Sequence, residues 1–425
     1  MQKEIEIAPK GPLDAEVTLP GSKSITHRAL FCAALAEGTS RLGNALLCLD
    51  TYVSTMCLNA LGAGIEVDES RSLLIINGMS GVFSEGGGSL GVGECGTALR
   101  FLTAALTLGR GDFRLDCGEV KRPIGDLVDA LNRGGCEIEF EDPRGYPPIR
   151  IHAAGFPGGG FTVNAEISSQ FVSAILLAAP YGREDTEIAV TGRVASAPYV
   201  DLTIDVMREF GVNVAKAGDT YYVPAGGGYR AADFYVEGDA SAATYFMAAA
   251  GVCGGRLRAR GMGGDSRQAD ARFAELLARM GCAVARGDDY IEVEGPLVNG
   301  IEADMLDMPD AVPTLAAAAC FAEGPTLIRG VRNLRRKESD RIAALVDVLG
   351  GLGAGIKTAD DAIEITPANL RAGVVDPHGD HRIAMSAALV GLRVPGVVVK
   401  NAGCVAKSFP NFFAELENLT ERSKS

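Results

Sequence analysis

Six times along this chain a short polar or glycine-containing turn opens an alanine-rich helix, which leads through a second turn into a β-branched strand. The openings are Gly21-Ser22-Lys23-Ser24, Glu94-Cys95-Gly96-Thr97, Ile167-Ser168-Ser169-Gln170, Gly238-Asp239-Ala240-Ser241, Met308-Pro309-Asp310 and His378-Gly379-Asp380-His381. Aligned on Ser24, Thr97, Ser169, Ser241, Asp310 and Asp380, they stand 73, 72, 72, 69 and 70 residues apart. Self-similarity at a fixed period marks one supersecondary unit copied along a chain. Such a chain is confined to folds in which equivalent units bury equivalent faces.

A second pattern interleaves with the first: an amphipathic helix, a glycine at its C-terminal end, then a strand. Leu58-Asn59-Ala60-Leu61-Gly62, Met207-Arg208-Glu209-Phe210-Gly211 and Leu276 through Met280-Gly281 show it, as do Leu131 with Gly134 and Leu352 with Gly353. A residue that ends a helix commonly takes positive φ, which glycine adopts without strain. Each unit therefore has two helices and several strands. The sixth is cut short, because its second helix, around Phe412 to Leu419, runs into the C-terminus. Ile5-Glu6-Ile7 and Ala15-Glu16-Val17-Thr18-Leu19 alternate as strands do and are expected to supply the missing strands. The fold class is α/β, with three repeats in each of two domains. One domain is discontinuous, residues 1–20 plus 238–425, and the other is continuous, residues 21–237. The crossings near Pro20-Gly21 and Gly238-Asp239 are candidate hinges.

A length of 425 residues agrees with two cores rather than one. No apolar run reaches the roughly 18–20 residues of a membrane span. The start alternates charged and apolar residues, unlike a signal or transit peptide, so a cytoplasmic protein without a membrane partner is expected. A net charge of −14 argues against a nucleic-acid partner. Of the ten cysteines none lies within four positions of another. Cys32, Cys57, Cys253 and Cys320 stand in apolar stretches, and reduced, structural thiols are expected.

The first pattern places polar residues where each alanine-rich helix begins. Free N–H groups and the dipole make such ends attractive to anions. Each end acts as roughly half a positive charge, so six converging ends would supply on the order of three. Ser, Thr and Asp are also ordinary N-caps that need no ligand. What tips the balance is the basic residues at equivalent places in the repeat: Lys23 and Arg28, Arg100, Arg382 after Asp380-His381, Lys407, and Arg336, Lys337 and Arg341 around Glu338 and Asp340. An anionic small molecule is the expected ligand.

Leu19-Pro20-Gly21-Ser22-Lys23-Ser24 with Arg28-Ala29-Leu30 resembles the opening signature of the 5-enolpyruvylshikimate-3-phosphate synthase family of enolpyruvyl transferases. So do Cys95-Gly96-Thr97-Ala98-Leu99-Arg100, Arg122-Pro123-Ile124-Gly125, Ser168-Ser169-Gln170-Phe171, Lys337-Glu338-Ser339-Asp340-Arg341 and Gly379-Asp380-His381-Arg382-Ile383-Ala384-Met385. They stand in the family order over nearly the whole chain. The resemblance implies a two-domain inside-out α/β barrel of six βαβαββ repeats. It also implies a monomer whose substrates are phosphoenolpyruvate and shikimate 3-phosphate, with the continuous domain mainly on the shikimate side and the discontinuous domain on the phosphoenolpyruvate side. Shikimate 3-phosphate falls to Lys23, Ser24, Arg28, Ser168, Ser169, Gln170, Ser196, Asp310, Asn333 and Lys337, with Tyr199 against the ring. Phosphoenolpyruvate falls to Lys23, Gly96, Thr97, Arg122, Gln170, Arg341, Arg382 and Lys407, supported by Arg100. Three features depart from the family: Glu94-Cys95 stands where Asn and Ala or Ser are usual, Phe101 where Pro is common, and the 117–122 loop is about two residues short.

The implied chemistry is addition followed by elimination. It needs a base for the attacking hydroxyl, an acid for the methylene carbon and fixed positive charge. Asp310 is the expected base, with Lys23 and Glu338 as acid–base groups. From the residues alone, Asp310 reads first as a helix N-cap, and Glu338 equally as a salt-bridge partner of Lys337 or Arg341. No cofactor is expected. His378, Asp380 and His381 lack a nearby third ligand, so no metal is expected either. Two alternatives stay open. One is the sister transferase acting on a UDP-amino sugar, whose reactive cysteine would fall near Cys117. The other is a catalytically silent anion-binding relative. No G-x-x-x-x-G-K-[ST] loop supports a kinase.

Overall fold

A computed structural model describes residues 4–83, 87–118 and 122–421. The chain divides into two compact units, Gly21–Val236 and Met1–Pro20 with Glu237–Ser425.

In the unit Gly21–Val236, three four-stranded sheets repeat one strand order. The first runs Asp233–Tyr235, Thr39–Gly43, Leu73–Asn77, Gly64–Asp68; the second Gly88–Gly91, Arg110–Asp116, Ile149–Ala154, Ile138–Phe140; the third Gly159–Asn164, Thr186–Thr191, Thr220–Val223, Ala215–Ala217. In each, the first two strands are parallel and the rest antiparallel.

The discontinuous unit repeats that order twice. One sheet runs Leu13–Thr18, Gly255–Arg260, Tyr290–Gly295, Ala283–Arg286, and another Glu302–Asp304, Thr326–Arg329, Ala362–Thr366, Gly355–Thr358. Its last sheet has three strands, Gly373–Val375, Val397–Val399 and Ile5–Glu6. Of the two N-terminal strands expected to complete the sixth copy, only Ile5–Glu6 does so, antiparallel to Val397–Val399. Leu13–Thr18 pairs instead in parallel with Gly255–Arg260, in the fourth copy. The reason is the crossing at Pro20–Gly21. A strand that precedes the first helix stays behind in the discontinuous unit, and Asp233–Tyr235, which precedes the fourth, takes the equivalent place beside Thr39–Gly43. Gly21 is fixed by this crossing, since a Cβ there would lie 1.8 Å from the carbonyl oxygen of Asn44.

Three alanine-rich helices form the centre of each unit. In one these are Lys23–Leu35, Gly96–Ala105 and Gln170–Ala178; in the other Ala240–Cys253, Val312–Ala319 and His381–Gly391. Every residue of the second trio is buried, and in the first trio burial is complete from the third, third and second residues onward. A helix that is apolar all round belongs in a core, and alanine lets backbones approach. What the first trio leaves partly exposed is its opening turn, where N–H groups have no helical acceptor.

Outer helices, such as Leu49–Ala60 and Arg341–Gly351, bury one face. Gly62, Gly211, Gly281 and Gly353 take positive φ after them. After Gly125–Arg133 the left-handed residue is Gly135, not Gly134. Gly134 is needed for another reason: a Cβ on it would sit 2.1 Å from the Phe161 ring.

The aligned polar residues are not all caps. Ser22, Cys95 and Asp239 accept the capping bonds from Ile25, Ala98 and Ala242, which places Ser24, Thr97 and Ser241 inside the first turn. Asp310 is no N-cap either. It lies within a 3-10 turn, Pro309–Ala311, that makes no side-chain capping bond. Among the described residues no helix is long and apolar enough to cross a membrane, and no cysteine is in a disulfide.

Candidate active site

In the unit Gly21–Val236 the opening turns carry a connected polar set. The Lys23 ammonium stands 3.1 Å from Asp50, at the start of helix Leu49–Ala60. Beneath this pair, Ser54 Oγ lies 3.0 Å and Cys95 Sγ 4.0 Å from the two ring nitrogens of buried His27. His27, Asp50 and Cys95 bring their ligand atoms within 4.8 Å of one another. The Lys23 ammonium already takes up one Asp50 oxygen, and the cluster reads as a support for Lys23. His27 and Asp50 were not singled out by the sequence, and their 27-residue separations from Ser54 and Lys23 leave no local pattern to find.

Arg28 is 1% exposed. It donates to Thr203 Oγ1 (2.7 Å), the Ser24 carbonyl (2.9 Å) and the Tyr199 carbonyl (3.0 Å), and it lies over the Phe101 and Tyr199 rings. Burial pulls its guanidinium down to about 10, with Tyr199 opposing. It ties Ser24 to Tyr199. Ser196 precedes the helix Pro198–Glu209, which carries Tyr199, with φ of 60°, a left-handed conformation for a non-glycine residue. Phe101, the departure from the family, packs edge-on to Phe31 with centroids 5.3 Å apart, so a core contact explains it.

Gln170 joins its own opening turn to that of Gly96–Ala105. Its Nε2 donates to Thr97 Oγ1 (3.0 Å) and its Oε1 accepts from Arg100 (2.5 Å), while its backbone N–H donates to Ser168 Oγ (3.2 Å). Gly96 keeps space open between guanidiniums: a Cβ there would meet Arg100 Nη1 at 3.3 Å and Arg122 Cζ at 3.8 Å. Both arginines and Ser169 are buried. Glu94 is exposed. Residues 119–121 of the short loop lie outside the described residues.

In the discontinuous unit the expected residues form one ion network. Arg341, 1% exposed, donates from Nε to Asp380 (2.8 Å), from Nη1 to Asp310 (2.8 Å) and from Nη2 to Glu338 (2.6 Å). Burial works against its charge, but Asp380, Glu338 and Asp310 outweigh that and push its pKa further up. Arg382 donates to the other Asp310 oxygen at 2.8 Å, and the Lys337 ammonium approaches Asp310 at 3.5 Å. Burial raises the Asp310 carboxyl. Arg382, Lys337 and Arg341 more than reverse this and hold it well below the ordinary carboxylate range.

Asp380, read from the sequence only as the residue that opens the sixth repeat, is the hub of this network. Fully buried, it accepts from Ser339 (3.1 Å), from Arg341 and from the Arg382 backbone N–H (2.9 Å). Buried His381 lies beside it, with Nδ1 3.7 Å from Asp380 Oδ1, while His378 turns outward to Asp347 at 2.9 Å. The salt-bridge reading of Glu338 therefore holds for its Arg341 partner. Asn333 and Lys407 stand on two 3-10 turns, Arg332–Arg336 and Ala402–Lys407. The Asn333 Oδ1 is buried and accepts no hydrogen bond among the described residues. Each unit can thus hold an anion over packed cations, and the second adds carboxylates for proton transfer.

A family model described as EPSP synthase (3-phosphoshikimate 1-carboxyvinyltransferase) matches residues 7–416. A 3-phosphoshikimate 1-carboxyvinyltransferase from Marinomonas sp. is 42% identical over 422 residues, covering 96% of this chain and 97% of its own. One of the same name from Methanoculleus marisnigri is 43% identical over 418 residues, with 97% and 98% covered. Among solved structures, an EPSP synthase from Acinetobacter baumannii superposes with a TM-score of 0.83 at 26% identity, covering 99% of both chains. The enolpyruvyl transferase NikO from Streptomyces tendae shares the α/β fold with a TM-score of 0.78 at 22% identity, covering 99% of this chain and 98% of its own.

Proposed function

The chain belongs to the EPSP synthase family, and from this we propose that it transfers the enolpyruvyl group of phosphoenolpyruvate to the 5-hydroxyl of shikimate 3-phosphate. The hydroxyl oxygen bonds to C2 of phosphoenolpyruvate as C3 takes a proton. The tetrahedral adduct then loses a C3 proton and its C2–O bond to phosphate, and phosphate leaves. In this reading a cytoplasmic monomer supplies every residue named above. Its six sheets are six βαβαββ units, three per domain, in an inside-out barrel. The recurring strand order supports that arrangement.

The observation that carries the mechanism is Asp310, an ionised carboxylate among Lys337, Arg341 and Arg382 with Glu338 on the same guanidinium. So depressed a carboxylate is a weak base. Substrate anions that engage Lys337 and Arg382 loosen their hold on it and raise its pKa toward a working value. Glu338 and Lys23 exchange protons with C3 and the departing phosphate. Lys23 and Arg122, with Gln170 and the opening turns of Lys23–Leu35 and Gly96–Ala105, hold phosphate and carboxylate groups. Ser24, Arg28, Ser168, Ser169, Ser196 and Tyr199 orient the shikimate ring, and Asn333 contributes its unused amide oxygen.

Incubation of the purified protein with phosphoenolpyruvate and each candidate acceptor, with phosphate followed, tests the reading. Release is expected with shikimate 3-phosphate and none with a UDP-amino sugar; the reverse result rejects it. Cys117 provides a second check. It is 2% exposed at the end of strand Arg110–Asp116, so Cys117→Ser is expected to keep kcat within about threefold. Loss of most turnover would favour the sugar transferase.

A further inference from the structure

Asp270 is a buried carboxylate with no part in the mechanism above. It sits on a 3-10 turn, Ala269–Arg272, and is 1% exposed. Ser241, in the opening turn of Ala240–Cys253, donates to its Oδ2. Its Oδ1 accepts no hydrogen bond among the described residues. Arg382 shows the complementary shortfall. Nη2 binds Asp310 and Nη1 lies 3.5 Å from Tyr245 Oη, but the buried Nε–H has no acceptor among the described residues. Ser241, which binds Asp270, and Tyr245, which meets Arg382, stand one turn apart on the helix Ala240–Cys253, so a spare acceptor and a spare donor are carried to one face of it. A native protein rarely leaves such a pair without purpose.

We propose that Asp270 is a positioning residue for this reaction, acting through Arg382 to set the basicity of Asp310 and to keep Arg382 in place as Asp310 gains the hydroxyl proton. The inference rests on the reading of Asp310 as the base. Ionised Asp270 offers Arg382 a second counter-charge, which weakens the hold of Arg382 on Asp310. Neutral Asp270 leaves Arg382 more fully to Asp310, and the base weakens. Among the described residues Asp310, Arg382 and Asp239 act on the charge of Asp270, while Arg272 on its own turn is directed at Asp307, 3.3 Å away. Burial, and then the charge of Asp310, push the Asp270 carboxyl up to about 6, with Arg382 and Ser241 pulling it down. Asp310 is held far lower. Two carboxyls acting on one guanidinium have been driven apart, as paired catalytic acids and bases are.

Asp270→Asn tests this by mimicking the protonated form. With phosphoenolpyruvate and shikimate 3-phosphate at pH 7.5, kcat is expected to fall about tenfold, with the KM for shikimate 3-phosphate within about twofold of wild type. The wild-type advantage should shrink towards unity as pH drops through about 6. Substrate phosphates also titrate in this range, and taking the ratio of the two profiles cancels them. A raised carboxyl lowers folded-state stability as pH rises from its unfolded value to about 6. The melting temperature of the variant at pH 7.5 should therefore be no lower than that of the wild type. A ratio that is constant with pH, or activity lost in step with unfolding, overturns the proposal. If Asp270→Asn does not fold, Ser241→Ala serves: it removes a bond that holds the Asp270 carboxyl down, so the acid limb must move to higher pH, and an unmoved limb refutes the role. A wild-type protein that releases no phosphate would instead reject the functional reading itself.

Discussion

Arg341→Met is expected to destabilise the discontinuous unit by about 3–5 kcal/mol, the usual cost of stranding a buried charge whose partner is removed. Three carboxylates depend on this guanidinium. Asp380 is fully buried, Glu338 is 15% exposed at its side chain and Asp310 24%, so water can rescue the last two only in part. Arg382 and Ser339 still reach Asp380, which is why the loss is not larger. A lysine would recover little, because one ammonium cannot place donors on Asp380, Asp310 and Glu338 at once. Chemical denaturation followed by far-UV circular dichroism measures the effect, and the chain has no tryptophan to offer an alternative probe. If the two units unfold separately, one transition should move and the other stay. A shift below about 1 kcal/mol would mean that the network contributes no more than an exposed ion pair. The pH dependence follows from the depressed Asp310 carboxyl. Its contribution is present in full above the ordinary carboxylate range and is lost as pH falls through the lower folded value. Without Arg341 the depression lessens, so acid unfolding should begin at a higher pH.

How far these features could be read from sequence depends on their range. The six openings and the glycines that end outer helices are local, and the central helices begin where the openings indicate. Within an opening, however, several residues are competent to cap. The chain uses Ser22, Cys95 and Asp239 rather than Ser24, Thr97 and Ser241. That difference of two residues decides which side chains are free to meet a ligand. Long-range pairing was illegible. Nothing in Leu13–Thr18 distinguishes Gly255–Arg260 from the sixth-copy strands as its partner, because every copy offers a similar parallel neighbour. Lys23 with Asp50, Arg341 with Asp380 and Asp310 with Arg382 are separated by 27, 39 and 72 residues. Basic residues stood out against an acidic background, whereas the carboxylates that organise them did not. Asp50 and Asp270 are indistinguishable in sequence from the many solvated acids, and Asp380 stands out as an opening-turn residue but not as the partner of Arg341.

Asp310→Asn is expected to lower kcat by about 10²–10⁴, the range over which a positioned general base accelerates proton transfer. Asparagine preserves the shape and can still accept from one cation, but it cannot take the hydroxyl proton. Its effect on binding should have the opposite sign to that of a simple loss of fit. With the carboxylate gone, Arg341 and Arg382 lose an anion they now share and turn more fully to phosphoenolpyruvate. The KM for phosphoenolpyruvate should therefore stay level or fall while kcat collapses. Steady-state phosphate release across phosphoenolpyruvate concentrations separates the two constants. The deficit in kcat/KM should hardly change with pH, because in the free enzyme Asp310 is held well below the ordinary carboxylate range. A variant that kept more than about a tenth of wild-type kcat would assign the base elsewhere, and Glu338, on the same guanidinium, would be the next carboxylate to replace. A raised KM with unchanged kcat would instead make Asp310 a binding group, and the weak-base problem posed by its three cationic neighbours would disappear with its catalytic role.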